Sequence, residues 1–317
     1  MKIAPLAAST VWICVSALAQ PPANRALMLP VSAPELDYVD VANPLSLPAG
    51  TTMGPPTSVA FTSKGHLLVL NRGPHAIAEF DADGKFIRSF GEGFIRPHGL
   101  ALDQDGNIWA TDGTRQIVVK FSPEGHVLLT LGTTGEAGEW NEANGSHRFN
   151  QPNGLTFGRN GDVFVVQGHT EGKGDPGVLK FDKEGHFIKS WGGIGTEPGK
   201  FLVGHGIAVD SNGLLWVADR ENQRIQVFQQ DGTFVKEMKI GGLPCNVSIG
   251  ERYVYLVDGH AGQLLRLDLN GKVLAAVGKK GNGLGEFGEA HSVAVSPKGE
   301  IWIADTAGSR VHKFVKR

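Results

Sequence analysis

The chain has 317 residues, among them 44 glycines and two cysteines, and its formal net charge at pH 7 is −2. This near-neutral balance argues against nucleic acid or an anionic membrane surface as a partner, because either is expected to need a basic patch. Two ordinary domains would fit this length, but a repeat along the chain indicates one closed domain.

The N-terminal residues have the pattern of a secretory signal. Lys2 precedes an apolar run over residues 3–18, and Ala17-Leu18-Ala19 supplies the small residues of a cleavage site. We predict a signal peptide over residues 1–19. The protein is therefore expected to be exported, to the periplasm or outside the cell, with no membrane attachment after cleavage.

Residues 20–34 are rich in proline and alanine and are interpreted as a linker. Removal of the signal also removes Cys14 and leaves Cys245 as the one cysteine of the mature chain. No internal disulfide is then possible, so the stability of the domain is expected to come from its sheets.

Residues 35–317 are predicted to form an all-β, six-bladed β-propeller. Copies of a four-strand repeat begin near residues 56, 97, 152, 204, 244 and 290, with insertions at 133–149 and 168–177. The last copy stops after its third strand, which would leave an open sheet edge. Residues 36–41 have the composition of a strand. We predict that this N-terminal strand closes the last blade.

One position of the repeat forms a ring around the predicted channel, because the first strand of each blade lines the axis. Its members are Thr57, His98, Asn153, His205, Cys245 and His291. The histidines belong to copies two, four and six, a third of a turn apart, so we expect them to converge. Three imidazoles with an open fourth position are typical of a catalytic zinc site. Alternatively, the histidines have no metal and their rings only form hydrogen bonds at the start of each strand. Cys245 is either a soft extra metal ligand or a small buried residue.

A second ring follows the second strand of each blade, where Arg72 and Arg220 occupy copies one and four, on opposite sides of the axis. Two guanidiniums there would clamp a substrate carboxylate through paired hydrogen bonds. Alternatively, each arginine pairs with its own loop, as Arg220 would with Glu221 or Asp219. His169 and His260 lie one residue beyond this ring and are candidates for a general base.

The repeated pattern over residues 56–317 resembles NHL repeats. Within that group the chain resembles the peptidyl-alpha-hydroxyglycine alpha-amidating lyases. The motifs that carry this resemblance are Asn71-Arg72-Gly73, Pro97-His98-Gly99-Leu100, Asp105-Gly106-Asn107, Asn150-Gln151-Pro152, Pro198-Gly199-Lys200-Phe201 and the run from Val217 to Gln226. The resemblance implies that His98, His205 and His291 bind zinc and that Arg72 and Arg220 belong to the active site.

The chain departs from that family at three places. The family's active-site tyrosine would fall within residues 168–177, where this chain has His169. The acidic calcium ligand expected after the last zinc histidine is Ser292, which makes calcium doubtful as a cofactor. The family's paired cysteines are also missing from the sequence.

The first functional hypothesis is a zinc-dependent lyase that cleaves the C–N bond of an N-acyl (peptidyl) alpha-hydroxyglycine, releasing an amide and glyoxylate. Arg72 and Arg220 would hold the substrate carboxylate, and His169 would take the hydroxyl proton. A monomer is expected. The alternative from another class is a non-enzymatic NHL-repeat propeller that binds a protein or peptide partner. A metal-dependent lactonase is a third possibility, although such sites are richer in carboxylate and amide ligands.

Overall fold

The computed structural model describes residues 30–170 and 174–317. The predicted signal peptide, 1–19, and most of the predicted linker, 20–34, lie outside these residues. Within the described part of the chain, no helix is long and apolar enough to cross a membrane. The one helical element there is a short 3₁₀ helix, Glu142–Asn144, and strands make up the rest of the regular structure. The fold is all-β, as predicted.

Six four-stranded antiparallel sheets form the blades of a propeller. The first strand, β1 (Tyr38–Asp40), precedes blades 1 to 3, which comprise β2–β5 (Pro56–Phe61, Leu67–Asn71, His75–Phe80, Phe86–Glu92), β6–β9 (Pro97–Leu102, Ile108–Asp112, Ile117–Phe121, Val127–Leu131) and β12–β15 (Pro152–Phe157, Val163–Gln167, Gly177–Phe181, Phe187–Gly192). Blades 4 to 6 comprise β16–β19 (Gly204–Val209, Leu215–Asp219, Arg224–Phe228, Phe234–Lys239), β20–β23 (Pro244–Ile249, Val254–Asp258, Gln263–Leu267, Val273–Val277) and β26–β28 (Ala290–Val295, Ile301–Asp305, Arg310–Lys316). The predicted starts of all six copies are confirmed.

Two further strand pairs lie in connections between blades: β10 (Trp140–Asn141) with β11 (Ser146–His147), and β24 (Lys279–Lys280) with β25 (Glu286–Phe287). The first pair lies within the predicted insertion at 133–149.

The N-terminal strand closes the last blade. β1 pairs antiparallel with β28, Tyr38 opposite Lys316, so blade 6 takes its fourth strand from the start of the domain. Leu36 is fully buried beside this strand. The predicted closure is confirmed, and the sheet edge that blade 6 would otherwise expose is covered.

The last residues of the predicted linker are attached to blade 5. The Val31 N–H donates to Oε1 of Gln263 over 2.6 Å, and the Ala276 N–H donates to the Pro34 carbonyl over 2.9 Å. These bonds satisfy the outer edge of blade 5, so residues 30–34 do not extend away from the propeller.

Hydrophobic packing occurs between neighbouring blades. Phe164 and Val166 of blade 3, for example, pack against Leu215 and Val217 of blade 4, and all four are fully buried. Aromatic residues that recur in the second strands, such as Trp109, Trp216 and Trp302, belong to these layers. Where the aromatic is tryptophan, its indole N–H can bond a recurring aspartate, as Trp109 does with Asp103 over 3.0 Å.

A β-bulge lies in the first strand of every blade, at or beside the ring position. The strand register shifts between residues 56 and 58, 97 and 100, 152 and 154, 204 and 206, 244 and 246, and 290 and 292. A bulge locally turns the strand and redirects a side chain. Gly99 and Gly206 follow two of the histidines, and a Cβ there would lie 2.2 and 2.6 Å from carbonyl oxygens of the next blade. Glycine therefore permits the close blade contact that brings the ring residues to one mouth of the channel.

Candidate active site

His98, His205 and His291 lie together at the channel mouth. Their ring centroids are 4.6 Å apart for His98 and His205, 4.5 Å for His98 and His291, and 4.9 Å for His205 and His291. Each side chain is at least 95% buried. The three-fold arrangement follows from the alternation of histidine in blades 2, 4 and 6.

Backbone contacts orient two of these rings. Nδ1 of His205 lies 2.8 Å from the Cys245 carbonyl, and Nδ1 of His291 lies 2.7 Å from the Thr57 carbonyl. A carbonyl can only accept, so each Nδ1 carries the proton and each Nε2 keeps a lone pair. Nε2 of both His98 and His205 is buried without a hydrogen-bond partner among the described residues. Histidines that bind metals commonly use one ring nitrogen in this way and anchor the other.

Burial keeps these imidazoles neutral. It lowers the pKa of His98 and His205 well below the usual value, with neighbouring histidines and arginines adding to the effect. Burial also lowers the pKa of His291 to about 4, although the nearby Glu289 carboxylate raises it. Neutral imidazole is the form that binds a metal.

His169 lies beside the three channel histidines. Its ring centroid is 5.0 Å from that of His98 and 5.2 Å from that of His205. One ligand atom each of His98, His169 and His205 lies within 4.8 Å of the other two. Tetrahedral zinc separates its nitrogen ligands by about 3.3 Å, so small side-chain movements would bring these atoms into coordination. An imidazole-rich set with unpartnered nitrogens fits zinc or a similar transition metal. His260 is not in this group.

Cys245 is not part of the histidine cluster. It packs in an apolar core of blades 5 and 6 with Val257 and Phe287 and is fully buried. Burial raises the pKa of its thiol to about 12, so it stays protonated. Of the two possibilities for this residue, the structure favours the small buried side chain.

Three arginines surround the cluster, and one of them was not predicted. Nη2 of Arg96 lies 3.2 Å from Nδ1 and 3.3 Å from Nε2 of His169. Burial, together with the charges of Arg72 and Arg220, lowers the pKa of the Arg96 guanidinium, as expected if the three lie near each other. Arg96 lies in a connection that does not repeat between blades. Its one sequence signal was its place directly before Pro97-His98.

Arg220 pairs in part with its own loop. Its Nε donates to Oε1 of Glu221 over 2.8 Å, so that predicted alternative is correct for this nitrogen. Its other two guanidinium nitrogens make no hydrogen bond with the described residues, and neither do the guanidinium nitrogens of Arg72, whose backbone N–H donates to the Pro55 carbonyl over 3.0 Å. These donors are available to a carboxylate.

The residues that follow Arg220 mainly stabilise the turn through hydrogen bonds. Asp219 accepts hydrogen bonds from Asn222, Arg224 and Gln226, and the Arg224–Asp219 ion pair, 2.8 Å long, is almost completely buried. Burial raises the pKa of Asp219, whereas Asn222 and Arg224 lower it. The network fixes the turn that carries Arg220.

Glu289 is a second site residue that the sequence analysis missed. Its N–H donates to Oδ1 of Asp305 over 2.7 Å, which fixes the connection before His291. Its carboxylate raises the pKa of His291, so it supplies negative charge among the arginines.

Below the histidines, the channel holds a cavity of about 240 Å³ lined by small polar side chains such as Ser58, Asn246 and Ser292. Oγ of Ser292 lies 3.2 Å from Oγ of Ser58. Ser292 thus presents a neutral hydroxyl to the channel.

Comparison with known proteins gives relatives named as amidating lyases, as amidating monooxygenases and as NHL repeat-containing protein 3. The family described as NHL repeat matches residues 205–228 and 287–314. Peptidyl-alpha-hydroxyglycine alpha-amidating lyase 1 of Drosophila melanogaster is 31% identical over 273 residues, 74% of this chain and 48% of the fly protein. A probable lyase of the same name from Caenorhabditis elegans is 27% identical over 74% of this chain and 68% of its own length.

A solved streptogramin B lyase structure superposes with a TM-score of 0.58 at 14% identity, covering 88% of this chain and 98% of that one, which supports the fold alone. The chain spans about half the length of the fly relative. These observations identify the chain as a six-bladed β-propeller with NHL repeats and as a homologue of proteins named peptidyl-alpha-hydroxyglycine alpha-amidating lyase.

Proposed function

We propose that the protein is a zinc-dependent carbon–nitrogen lyase acting on N-acyl or peptidyl alpha-hydroxyglycines. The observation that carries this proposal is the buried histidine cluster, with unpartnered Nε2 atoms on His98 and His205, set among arginines with free donors. The names of the relatives supply the reaction class. His98, His205 and His291 would hold the zinc.

The reaction divides the substrate into an amide and glyoxylate without consuming water. A base removes the hydroxyl proton, the C–O bond becomes a carbonyl, the C–N bond breaks, and the nitrogen gains a proton. Bound zinc supplies a Lewis acid to such a reaction. The protein must then hold the substrate carboxylate and accept and return one proton.

Arg72 and Arg220 hold the carboxylate in this proposal. Arg220 has two unengaged guanidinium nitrogens, and its turn is fixed by the Asp219 network. A planar guanidinium binds a carboxylate through two parallel hydrogen bonds. This contact would orient the alpha carbon over the histidines, so a substrate with a free carboxylate is expected.

His169 takes the hydroxyl proton. Burial lowers its pKa to about 2, with Arg220 and Arg96 adding to the effect, so the free ring is neutral. A bound carboxylate would offset those guanidinium charges and raise the pKa of the ring toward the range useful for a base.

The test measures metal content and glyoxylate release from an N-acyl-alpha-hydroxyglycine by the purified, zinc-loaded protein. We expect about one zinc per chain and glyoxylate formed in equal amount to the amide. Zinc binding without glyoxylate would reject the lyase but keep the metal site. Neither zinc nor turnover would favour a non-enzymatic propeller that binds a protein or peptide. Export of the mature chain is part of the same proposal, and N-terminal sequencing of the exported protein tests it.

A further inference from the structure

We infer that His169 is a fourth imidazole ligand of the metal site, and that Arg96 competes with the metal for it. This inference rests on the metal site of the proposed function. His169 approaches the cluster from the turn after the second strand of blade 3, whereas the other histidines come from first strands. Its centroid distances, 5.0 and 5.2 Å, are close to those within the channel trio.

The backbone on both sides of His169 is fixed. The Gly168 N–H donates to the Asn150 carbonyl over 2.9 Å, and the Thr170 hydroxyl donates to Oε1 of Gln151 over 2.9 Å. Gly168 has a φ of 95°, which favours glycine at this point. Rotation of the His169 side chain would change what its ring contacts.

A neutral imidazole has one N–H and one lone pair. Arg96 carries only donors, and its Nη2 lies 3.2 Å from Nδ1 and 3.3 Å from Nε2 of His169, so it lies beside whichever ring nitrogen has the lone pair. A metal ion needs the same lone pair. The two interactions of His169 therefore exclude each other, and the structure shows the one with Arg96.

Metal binding would then change the contacts of the Arg96 guanidinium. When His169 turns to the metal, Nη2 of Arg96 loses its partner and joins the unengaged donors of Arg72 and Arg220. The site gains a third guanidinium for an anionic group of the substrate. Substrate binding would have to displace His169 from the metal, which would free the lone pair that the proposed reaction needs to accept a proton.

The experiment titrates the mature protein with Co²⁺ alone and records its visible absorption and dissociation constant. We expect His169→Ala to change the absorption bands and to weaken binding by about tenfold or more, the scale seen when groups around a metal are lost. His169→Gln, which keeps a polar side chain of similar length, should behave like His169→Ala. His260→Ala is the matched control, a turn histidine outside the cluster, and should leave both readouts unchanged.

Arg96→Gln tests the competition. It should strengthen Co²⁺ binding more than Arg72→Gln does, because both remove a nearby charge but only the first releases His169. In a His169→Ala background this extra gain should vanish. Equal gains from the two arginine variants would overturn the competition, and an unchanged spectrum in both His169 variants would overturn the fourth ligand. If the wild type binds Co²⁺ and the His169 variants bind it equally well, the proposed function survives. If the wild type binds no metal, both proposals fail.

Discussion

At the scale of single residues, polar side chains at the ends of the second strands fix the positions of the charged residues around the site. Asp112 accepts the N–H of Ile95 over 2.6 Å and that of Arg96 over 3.2 Å, and Asp305 does the same for the connection that carries Glu289. Both aspartates also accept backbone N–H groups of the turns that follow their strands, from Thr114 and Gly308 respectively. Their consequence for function is that each blade fixes the connection that enters it, and with it the charged groups around the histidines.

Replacement of Arg220 tests the carboxylate clamp. Arg220→Lys keeps the charge but loses the planar two-point contact, so kcat/KM for glyoxylate release should fall by roughly tenfold or more, equivalent to a lost charge-assisted hydrogen bond of about 1.5–3 kcal/mol. Arg159→Lys, in a turn at the opposite end of blade 3, is the matched control. Equal kcat/KM values in both variants would show that Arg220 does not hold the substrate.

Replacement of Arg224 tests the buried network beneath that clamp. Arg224→Ala leaves the Asp219 carboxylate buried without its cation, and such a loss typically costs about 3–5 kcal/mol. Urea denaturation should show this difference in the free energy of unfolding. Arg148→Ala breaks an exposed ion pair with Glu136 and should cost less than about 1 kcal/mol. Similar values for the two variants would mean that the buried pair does not stabilise the fold.

At the scale of the strands, bulges and turns bring residues from equivalent positions of the repeat together in one site. The repeat predicted the six strand starts and the convergence of histidines because both follow from symmetry. Arg96 and Glu289 were missed because they lie in connections that differ between blades. His169 was predicted as a base, but its place within 4.8 Å of two channel histidines depends on how an insertion folds, which periodicity cannot show.

The closing strand can be tested by truncation. Removal of residues up to Val41 deletes β1, the buried Leu36 and the contact of 2.7 Å between Asp40 and His312, whereas removal up to Pro34 leaves them intact. Burial of Leu36 alone contributes roughly 1.5–3 kcal/mol. The longer truncation should therefore melt at a clearly lower temperature. Equal melting temperatures would contradict a stabilising role for β1.

At the scale of the whole molecule, ring closure forces four neutral imidazoles into one mouth of the channel. The native-state pKa values of His98, His169, His205 and His291 are all lowered, to about 2 for His169 and about 4 for His291, whereas an unfolded chain has histidine pKa values near 6.5. His312 is the opposite case. Burial lowers its pKa, but hydrogen bonds to Asp305 and Asp40 raise it above the ordinary value overall.

These shifts predict how the stability of the metal-free protein depends on pH. Below pH 6.5 the channel histidines bind protons in the unfolded chain but stay neutral in the folded state. The free energy of unfolding must therefore decrease as the pH decreases. The contribution of these histidines to the free energy of unfolding is complete above pH 6.5 and is lost as the pH falls toward their native pKa values. Each such histidine lowers the free energy of unfolding by roughly 2 kcal/mol over 1.5 pH units. His312 acts in reverse, since its contribution is complete below pH 6.5 and is lost as pH rises through its native pKa.

Urea denaturation of the metal-free protein between pH 7 and pH 5 measures this dependence, in a range above the ordinary titration of carboxyl groups. Four histidines have lowered pKa values, whereas the pKa is raised for His312 and for the exposed His186 beside Asp182, so stability should decrease toward pH 5. His291→Gln removes one proton-binding group from the unfolded chain and should make the slope shallower by about one proton. A free energy of unfolding that stays constant or rises toward pH 5 would mean that the channel imidazoles accept protons in the folded state, and the neutral cluster required for metal binding would be wrong.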